Sequence, residues 1–490
     1  MSSMYRRFDL PGAIRKIGSQ ARNTAMRIVP VVVILLLTPV ISGAQTEFVR
    51  RSGAHFMLGR QRYYFMGANC YYLSYFAQDT TEARGEGSPT WRDMADQVLD
   101  RCGAMDLNVV RIWAFGEENG GEFGPHDDWR MQTSPGVYRE QALVGLDYVL
   151  QKAGELDLRI VLALVNNWDS YGGMDWYVTN SPTATTHDDF YTDATCRQWY
   201  KDHVNRLAGR TNTFTGIVYK EDPAIFAWQL ANEPRCKSDT NGVTMANWVY
   251  EMAGYIKSVD TNHMVSTGEE GWWESQPWEG TRWLVNNACP DIDYAVIHCW
   301  PDSWTYLFGD SEPGLYSNAM RWVAEHIDAC EDLLDKPLVL DEYGKSKPIE
   351  GDYGRNYYHQ GWFDIIHESA ASDGAAAGLQ FWMFEADDSW HEDHGSVFYS
   401  DTSTVAMITG QAWEMSHLIA PVITGATFEP GGLLLSWTEV VGSPSYRISA
   451  SVDMLSWEDL ATVDTNEWSD SGALGQETRF YRIVPEYDEP

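Results

Sequence analysis

Two stretches of this chain share one design. Residues 225–235, IFAWQLANEPR, open with a continuous apolar run and end in Asn232-Glu233-Pro234. Residues 337–344, PLVLDEYG, repeat the pattern and end in Asp341-Glu342 before a glycine. A short run that is apolar without alternation suits a strand buried on both faces, as in a parallel sheet wrapped by helices. Pro234 cannot continue such a strand, so the first should stop where its carboxylate sits. Two buried strands that each deliver a Glu at the carboxyl end restrict fold and chemistry together. In a parallel barrel that end is the catalytic face. Two carboxylates there suffice for glycoside hydrolysis, one as acid and the other as nucleophile or base. A single strand-end Glu is as readily a salt-bridge partner; the repetition carries the argument.

The rest of the chain fits a barrel. Strands are expected at 65–69, 109–115, 159–167, 225–230, 264–270, 294–300, 337–343 and 378–384. Helical patterns fall at 91–105, 139–157, 194–210, 244–259, 318–334 and 356–372. This alternation predicts an α/β fold, a (β/α)8 TIM barrel. Glu233 and Glu342 are 109 residues apart. That is three strand–helix units of roughly 36 residues, near the ~30 of such units, and it puts the two carboxylates on strands four and seven. A hairpin over 47–69, turning near Gly59, is expected to close the bottom of the barrel. After His417 the texture changes. Residues 421–490 show alternating runs, LLLSW, YRISAS and FYRIV, between Gly, Ser, Asp and Asn, which predicts a small all-β sandwich.

The amino terminus reads as a secretion signal. Six basic residues lie within 1–27, an apolar run spans 28–41, and the small residues Ser42-Gly43-Ala44 follow. The run is short for a membrane span, so a cleaved signal is expected rather than an anchor. The domains are therefore 1–44 signal peptide, 45–417 barrel and 418–490 sandwich, and the expected location is extracellular. With 70 acidic against 35 basic residues, nucleic acid and anionic membranes are excluded as partners. A neutral polysaccharide carries no such penalty. The 22 tryptophans suit it too, because indole faces stack on sugar rings, although many must be core. Seven cysteines leave at least one unpaired within a monomer, the expected state, and no CxxC suggests a zinc site.

AWQLANEPRC, with Asn directly before Glu, resembles the acid/base motif of glycoside hydrolase family five, most closely its β-mannanase branch, and LDEYG resembles that family's nucleophile strand. The resemblance runs from about Phe48 to His417. It includes NCYYLSY, NVVRIWAF, NNWDSYGGMDWYV, RTNTFTGIVYKEDPAIFAW, HCWPDSW and GLQFWMF in the family's order. It implies Glu233 as general acid/base and Glu342 as nucleophile. It implies that Arg111 holds the nucleophile, that Asn232 donates to the sugar 2-hydroxyl, and that His298 lines the reacting subsite. Trp382 resembles the platform under the reacting sugar. Where many relatives have Tyr two residues after this His, the chain has Trp300, and indole has one donor and no acceptor, so the Tyr role is not carried over. Further cleft candidates are Asn69, Trp168, Trp176, Trp272, Trp273 and Trp304. In the last module, Trp437, Tyr446 and Tyr481 resemble the aromatic core and tyrosine corner of a fibronectin type III domain. A spacer role is favoured there over sugar binding, because the aromatics alternate as core residues do.

The chemistry sets charge expectations. Glu233 should be held protonated, with its pKa raised, and Glu342 kept ionised by Arg111. Retention requires carboxyl groups ~5–5.5 Å apart, and inversion ~6.5–9.5 Å. His391 and His394, in HEDH, have the look of a metal pair, yet retaining hydrolysis needs no metal, and no cofactor is expected. The expected activity is a secreted retaining endo-β-1,4-mannanase acting on mannan, galactomannan or glucomannan. The rivals are a β-1,4-glucanase of the same clan, with identical chemistry residues, and a catalytically silent carbohydrate-binding protein, against which both Glu residues argue.

Overall fold

The computed structural model describes residues 47–486, except 84, 119–128, 347, 387–394, 419–420, 422, 430–431, 441–442, 444, 452–456 and 474–479. Eight strands form one sheet: β1 (Phe65–Asn69), β2 (Val109–Trp113), β3 (Arg159–Ala163), β4 (Ile225–Gln229), β5 (Met264–Ser266), β6 (Ala295–Cys299), β7 (Leu338–Tyr343) and β8 (Ala376–Phe381). Every residue in them is buried, as the unbroken apolar runs require. All pairings are parallel, in the order β5-β4-β3-β2-β1-β8-β7-β6. The β5–β6 seam is stitched by Asp293 N–H to Val265 O at 2.8 Å and by His298 N–H to Glu270 O at 3.0 Å. The result is a TIM-type barrel.

Eight helices follow the strands in turn: α1 (Trp91–Ala104), α2 (Glu140–Glu155), α3 (Ala194–Ala208), α4 (Val243–Val259), α5 (Trp283–Asn287), α6 (Gly314–Ala329), α7 (Arg355–Ala371) and α8 (Thr402–Ser416). Local chemistry sets their starts. Thr90 and Asp93 form a reciprocal capping box on α1, and the Asp193 carboxylate accepts from Thr195 N and Cys196 N at α3. The helix expected at 318–334 begins at Gly314, and its regular winding stops at Ala329, followed by a wider turn over Cys330–Leu334. The sequence reading has no counterpart for α5 or α8: α5 has only five residues, and α8 is rich in Thr with a Gly410, both weak helix formers. The strands end earlier than expected on β2 to β6 and on β8, because the chain leaves the ladder to build the loops of the mouth.

The amino-terminal hairpin has three strands rather than two, Val49–Ser52, His55–Leu58 and Gln61–Arg62. The turns between them use Gly53 (φ +56°) and Gly59 (φ +58°), left-handed positions that glycine fills without strain. Phe56 packs edge-on against Phe226 and Tyr294, at 5.2 and 5.3 Å between ring centroids, and plugs the bottom of the barrel. The RTNTFTGIVY stretch is tied down by Asp147 on α2, which accepts from Arg210 Nε (2.7 Å), Arg210 Nη2 (2.6 Å) and Tyr219 OH (2.6 Å). This buried, fully bonded ion pair fixes the chain that enters β4.

The chain ends in small antiparallel sheets with a core of their own. Ile423–Glu429, Gly432–Trp437 and Glu467–Asp470 form one, and Ser445–Ser451, Glu458–Val463 and Phe480–Glu486 the other. Leu433, Leu435 and Trp437 pack against Tyr446, Ile448 and Tyr481 between them. Tyr481 OH donates to Asp470 Oδ2 across the sheets at 2.6 Å. All seven cysteines are buried and unbridged. Among the described residues, no helix is long and apolar enough to cross a membrane.

Candidate active site

Glu233 and Glu342 meet at the carboxyl-terminal mouth of the barrel, but by different routes. Glu342 lies within β7. Glu233 is four residues past the end of β4, so the strand does not reach the carboxylate; it stops at Gln229, one residue short of the apolar run that ends at Leu230. The intervening chain is held from both sides, by Asn232 N–H to Val165 O (2.7 Å) and Glu233 N–H to Gly268 O (2.9 Å). Glu233 itself has φ +51°. A left-handed conformation costs a non-glycine residue about 1–3 kcal/mol and persists where the surroundings over-determine it. Here it aims the carboxylate back over the barrel.

His298, at the end of β6, joins the two acids. Its Nδ1 lies 2.7 Å from Glu233 Oε1 and 3.4 Å from Glu342 Oε2. A carboxylate oxygen of each Glu and a nitrogen of His298 all lie within 4.8 Å of one another. Trp168 Nε1 donates to Glu233 Oε2 at 2.7 Å, and Arg111 Nη1 to Glu342 Oε1 at 2.5 Å. Arg111 also donates to Asn69 Oδ1 (2.9 Å), Asn232 Oδ1 (2.7 Å) and Gln229 Oε1 (2.7 Å). Asn69 Nδ2 donates to Asp341 O at 2.8 Å, and Asn232 Nδ2 to Asn166 Oδ1 at 3.0 Å. Each of these side chains is fixed by at least two partners, as preorganisation requires.

The electrostatics differ from expectation. Burial pushes the Glu233 carboxyl up, but the His298 hydrogen bond and charge, Arg235 and Trp168 outweigh it and bring it below its ordinary value. Burial pushes Glu342 up to about 7 against the pull of His298 and Arg111. His298, although burial opposes its charge, is raised to about 10 by Glu342, Asp341 and Glu233. The physical reason is the 2.7 Å contact: an imidazole one hydrogen bond away favours the ionised form of Glu233, and the carboxylates around the imidazole favour a proton on it. The three groups lie close enough for the charge on each to shift the others. They also have the donor set of a metal site. Arg111 and Trp168 already serve one oxygen of each carboxylate, which makes the arrangement a proton-sharing cluster. His391 and His394 lie outside the described residues.

The two acids open on a cavity of about 550 Å³ walled by Trp113, Asn166, Trp168, Asn232, Arg235, Glu270, Trp300, Trp304, Tyr306 and Trp382, among others. Trp382 stacks on Tyr71 (5.7 Å, 11° between planes), and Trp300 meets it edge-on at 6.0 Å. The Trp300 carbonyl accepts from Ser303 N and Trp304 N, but among the described residues its indole N–H makes no hydrogen bond. Asn69, Arg111 and His298, each at most 1% exposed, sit behind the carboxylates rather than in the wall. Of the other tryptophans singled out, Trp304 faces the cavity. Trp176 is buried against Tyr177, Trp272 donates to Glu270 Oε2 at 2.8 Å, and Trp273 stacks on His326 at 4.0 Å. Sequence reasoning missed Arg235, which grips Glu270 through Nε (2.7 Å) and Nη2 (2.5 Å) and lies 5.0 Å from the Trp168 ring centroid. The signal was available: it follows the NEP triplet directly, and a second acid pair, Glu269-Glu270, ends the fifth expected strand.

The profile of GH family 5 beta-mannosidase-like proteins matches residues 46–406. The chain is 37% identical to mannan endo-1,4-beta-mannosidase 1 of Arabidopsis thaliana, over 69% of this chain and 82% of that protein. It is 35% identical to a putative mannan endo-1,4-beta-mannosidase 9 of Oryza sativa subsp. japonica, over 82% of this chain and 99% of that protein. The crystal structure of the endo-1,4-beta-mannanase from Rhizomucor miehei superposes with a TM-score of 0.63 at 30% identity, covering 75% of this chain and 99% of that one. Over its barrel, with both carboxylates inside the matched span, the chain belongs to glycoside hydrolase family 5, in its β-mannosidase-like group.

Proposed function

We propose that this protein is a secreted, retaining endo-β-1,4-mannanase. The observation that carries the reading is the short approach of Glu233 and Glu342, within 4.8 Å between a carboxylate oxygen of each, on the floor of an aromatic-walled cavity. That approach supports the ~5–5.5 Å arrangement of retaining enzymes over the ~6.5–9.5 Å of inverting ones. Mannan as substrate is supported by the names of the relatives in both comparisons.

In the first step Glu342 attacks the anomeric carbon from below while the glycosidic C–O bond breaks, and Glu233 gives a proton to the leaving oxygen. That proton reaches Glu233 from His298 along their 2.7 Å hydrogen bond. In the second step water replaces Glu342 at the anomeric carbon, and Glu233 takes the water proton and returns it to His298 along the same hydrogen bond. Arg111 stabilises the Glu342 carboxylate as it is released. Asn232, oriented by Arg111 and Asn166, meets the sugar 2-hydroxyl, and Trp382, backed by Tyr71, is the platform beneath the ring. Trp300 closes the wall beside it by contact rather than by hydrogen bonding.

Residues 1–44 act as the signal peptide, 45–417 form the catalytic domain, and 418–490 form a fibronectin type III-like spacer. The protein's own core in the last module supports this division. A chain ending after His417 is expected to fold and to keep activity on soluble mannan within a few-fold; loss of folding would show that the module completes the barrel. Substrate choice is tested by reducing-end release from galactomannan beside cellulose. Mannan cleavage is expected, with cellulose untouched; the opposite preference would make the protein a glucanase, and no release from either would make it a binding protein.

A further inference from the structure

Glu342 is preceded by a second carboxylate, Asp341, which is completely buried and takes no part in the cavity wall. Neighbours on a strand normally point to opposite faces. Here the register breaks: Ile297 pairs with Leu340, but His298 pairs with Glu342, so Asp341 is an extra residue of β7 against β6. Against β8, Leu340 pairs with Leu379 and Tyr343 with Phe381, so two residues of β7 face one of β8. Such a bulge re-aims side chains. It turns both Asp341 and Glu342 inward, one below the other.

Asp341 Oδ2 accepts from Gln229 Nε2 at 2.7 Å, lies 3.2 Å from Arg111 Nε and lies 3.9 Å from His298 Nε2. Among the described residues, Asp341 Oδ1 and His298 Nε2, both buried, have no hydrogen-bond partner of their own. The imidazole therefore has Glu233 on one side and Asp341 on the other. We propose that Asp341 is a positioning residue for the hydrolytic reaction assigned above: acting through His298, it fixes the ring and holds on it the proton that Glu233 delivers. An ionised carboxylate behind the ring favours a proton on both ring nitrogens, so Nδ1–H is available to Glu233.

The other groups around His298 do not supply this effect. Glu233, from the loop after β4, and Glu342, on β7, both face Nδ1. Arg111, on β2, stands behind the β7 carboxylates and opposes a cation. On the β5 side, Glu270 offers His298 its backbone carbonyl, and its carboxylate is taken by Arg235. On α6, Trp322 Nε1 donates to His298 O, and the ring nitrogens of His326 lie 2.7 and 2.8 Å from the Trp322 and Gly271 carbonyls, so a neutral ring, which burial favours by lowering its pKa to about 4, donates to one of them; in neither state does it offer a negative charge. Tyr294, before β6, has its hydroxyl pushed up by burial and by the Asp341 charge, so it is neutral as well. Among the described residues, only Asp341 places a negative charge at Nε2. Its own carboxyl, though burial opposes it, is held below the ordinary range by Arg111, His298 and Gln229.

The test has two arms. The first is imidazole ¹⁵N NMR of the wild-type, ligand-free protein. Both ring nitrogens of His298 are expected to carry protons from neutral pH until the ring titrates near 10; a bare Nε2 across neutral pH overturns the proposal. The second compares the pH dependence of kcat/KM on soluble mannan for wild type, Asp341→Asn and Asp341→Glu. Removing the anion lowers the affinity of the cluster for its proton, so in Asp341→Asn the alkaline limb should move to lower pH by about 1 or more, the usual effect of losing a nearby opposite charge. Asp341→Glu should move it back. A uniform loss of rate with the limb unmoved would reduce Asp341 to a structural role. If no glycoside is hydrolysed, the functional reading fails, and the NMR arm still decides the placement of the proton.

Discussion

Glu342→Ala is expected to lose turnover on mannan by on the order of 10⁴-fold or more, the scale seen when a covalent nucleophile is removed. The variant should fold. Arg111 loses one acceptor but keeps Asn69, Asn232, Gln229 and Asp341. The cavity left below the anomeric carbon is open to a small anion. Added azide should therefore restore rate with an activated β-mannoside, and the product should be the α-azide, because the anion attacks from the face where the carboxylate stood. Azide without effect, or a β-azide, would place the nucleophile elsewhere.

The second large effect belongs to Glu233. On the proposed assignment its loss removes the proton donor for the leaving oxygen, and general acid catalysis contributes about 10²–10⁴-fold. Glu233→Ala should show that loss on mannan and little of it, in the first step, on substrates with good leaving groups, which need no proton. Deglycosylation then lacks a base to activate water, so the glycosyl-enzyme should accumulate and be visible by intact mass. Azide should again rescue, here with retained β configuration, because Glu342 remains the nucleophile. The contrast between the two azide products separates the roles in one pair of experiments. A Glu233→Ala enzyme equally slow on all leaving groups would assign the acid to another residue.

The barrel was readable because its signals are local. Fully apolar runs such as 225–230 and 337–340, separated by amphipathic helices at regular spacing, leave few alternatives to eight buried parallel strands. The two acids were readable for the same reason: a Glu at the end of such a run can only emerge at the mouth. The electrostatics were not. They depend on the left-handed backbone at Glu233, which brings its carboxylate within 2.7 Å of His298, and on the bulge that turns Asp341 inward beside Glu342. Neither departure from regular geometry has a signature in residue type. Tryptophan shows the same limit from another side. Trp168, Trp300, Trp304 and Trp382 face the cavity, while Trp176, Trp272 and Trp273 pack away. Indole is suited to either fate, and only the loop paths choose.

The measurement that bears most directly on the account is the anomeric configuration of the first product, followed by ¹H NMR as mannan is cleaved. Double displacement through Glu342 and Glu233 requires the new reducing end to appear first as the β anomer, with the α anomer growing in only by mutarotation. An α anomer formed first would contradict the account, because it would mean that water, and not Glu342, attacks the anomeric carbon.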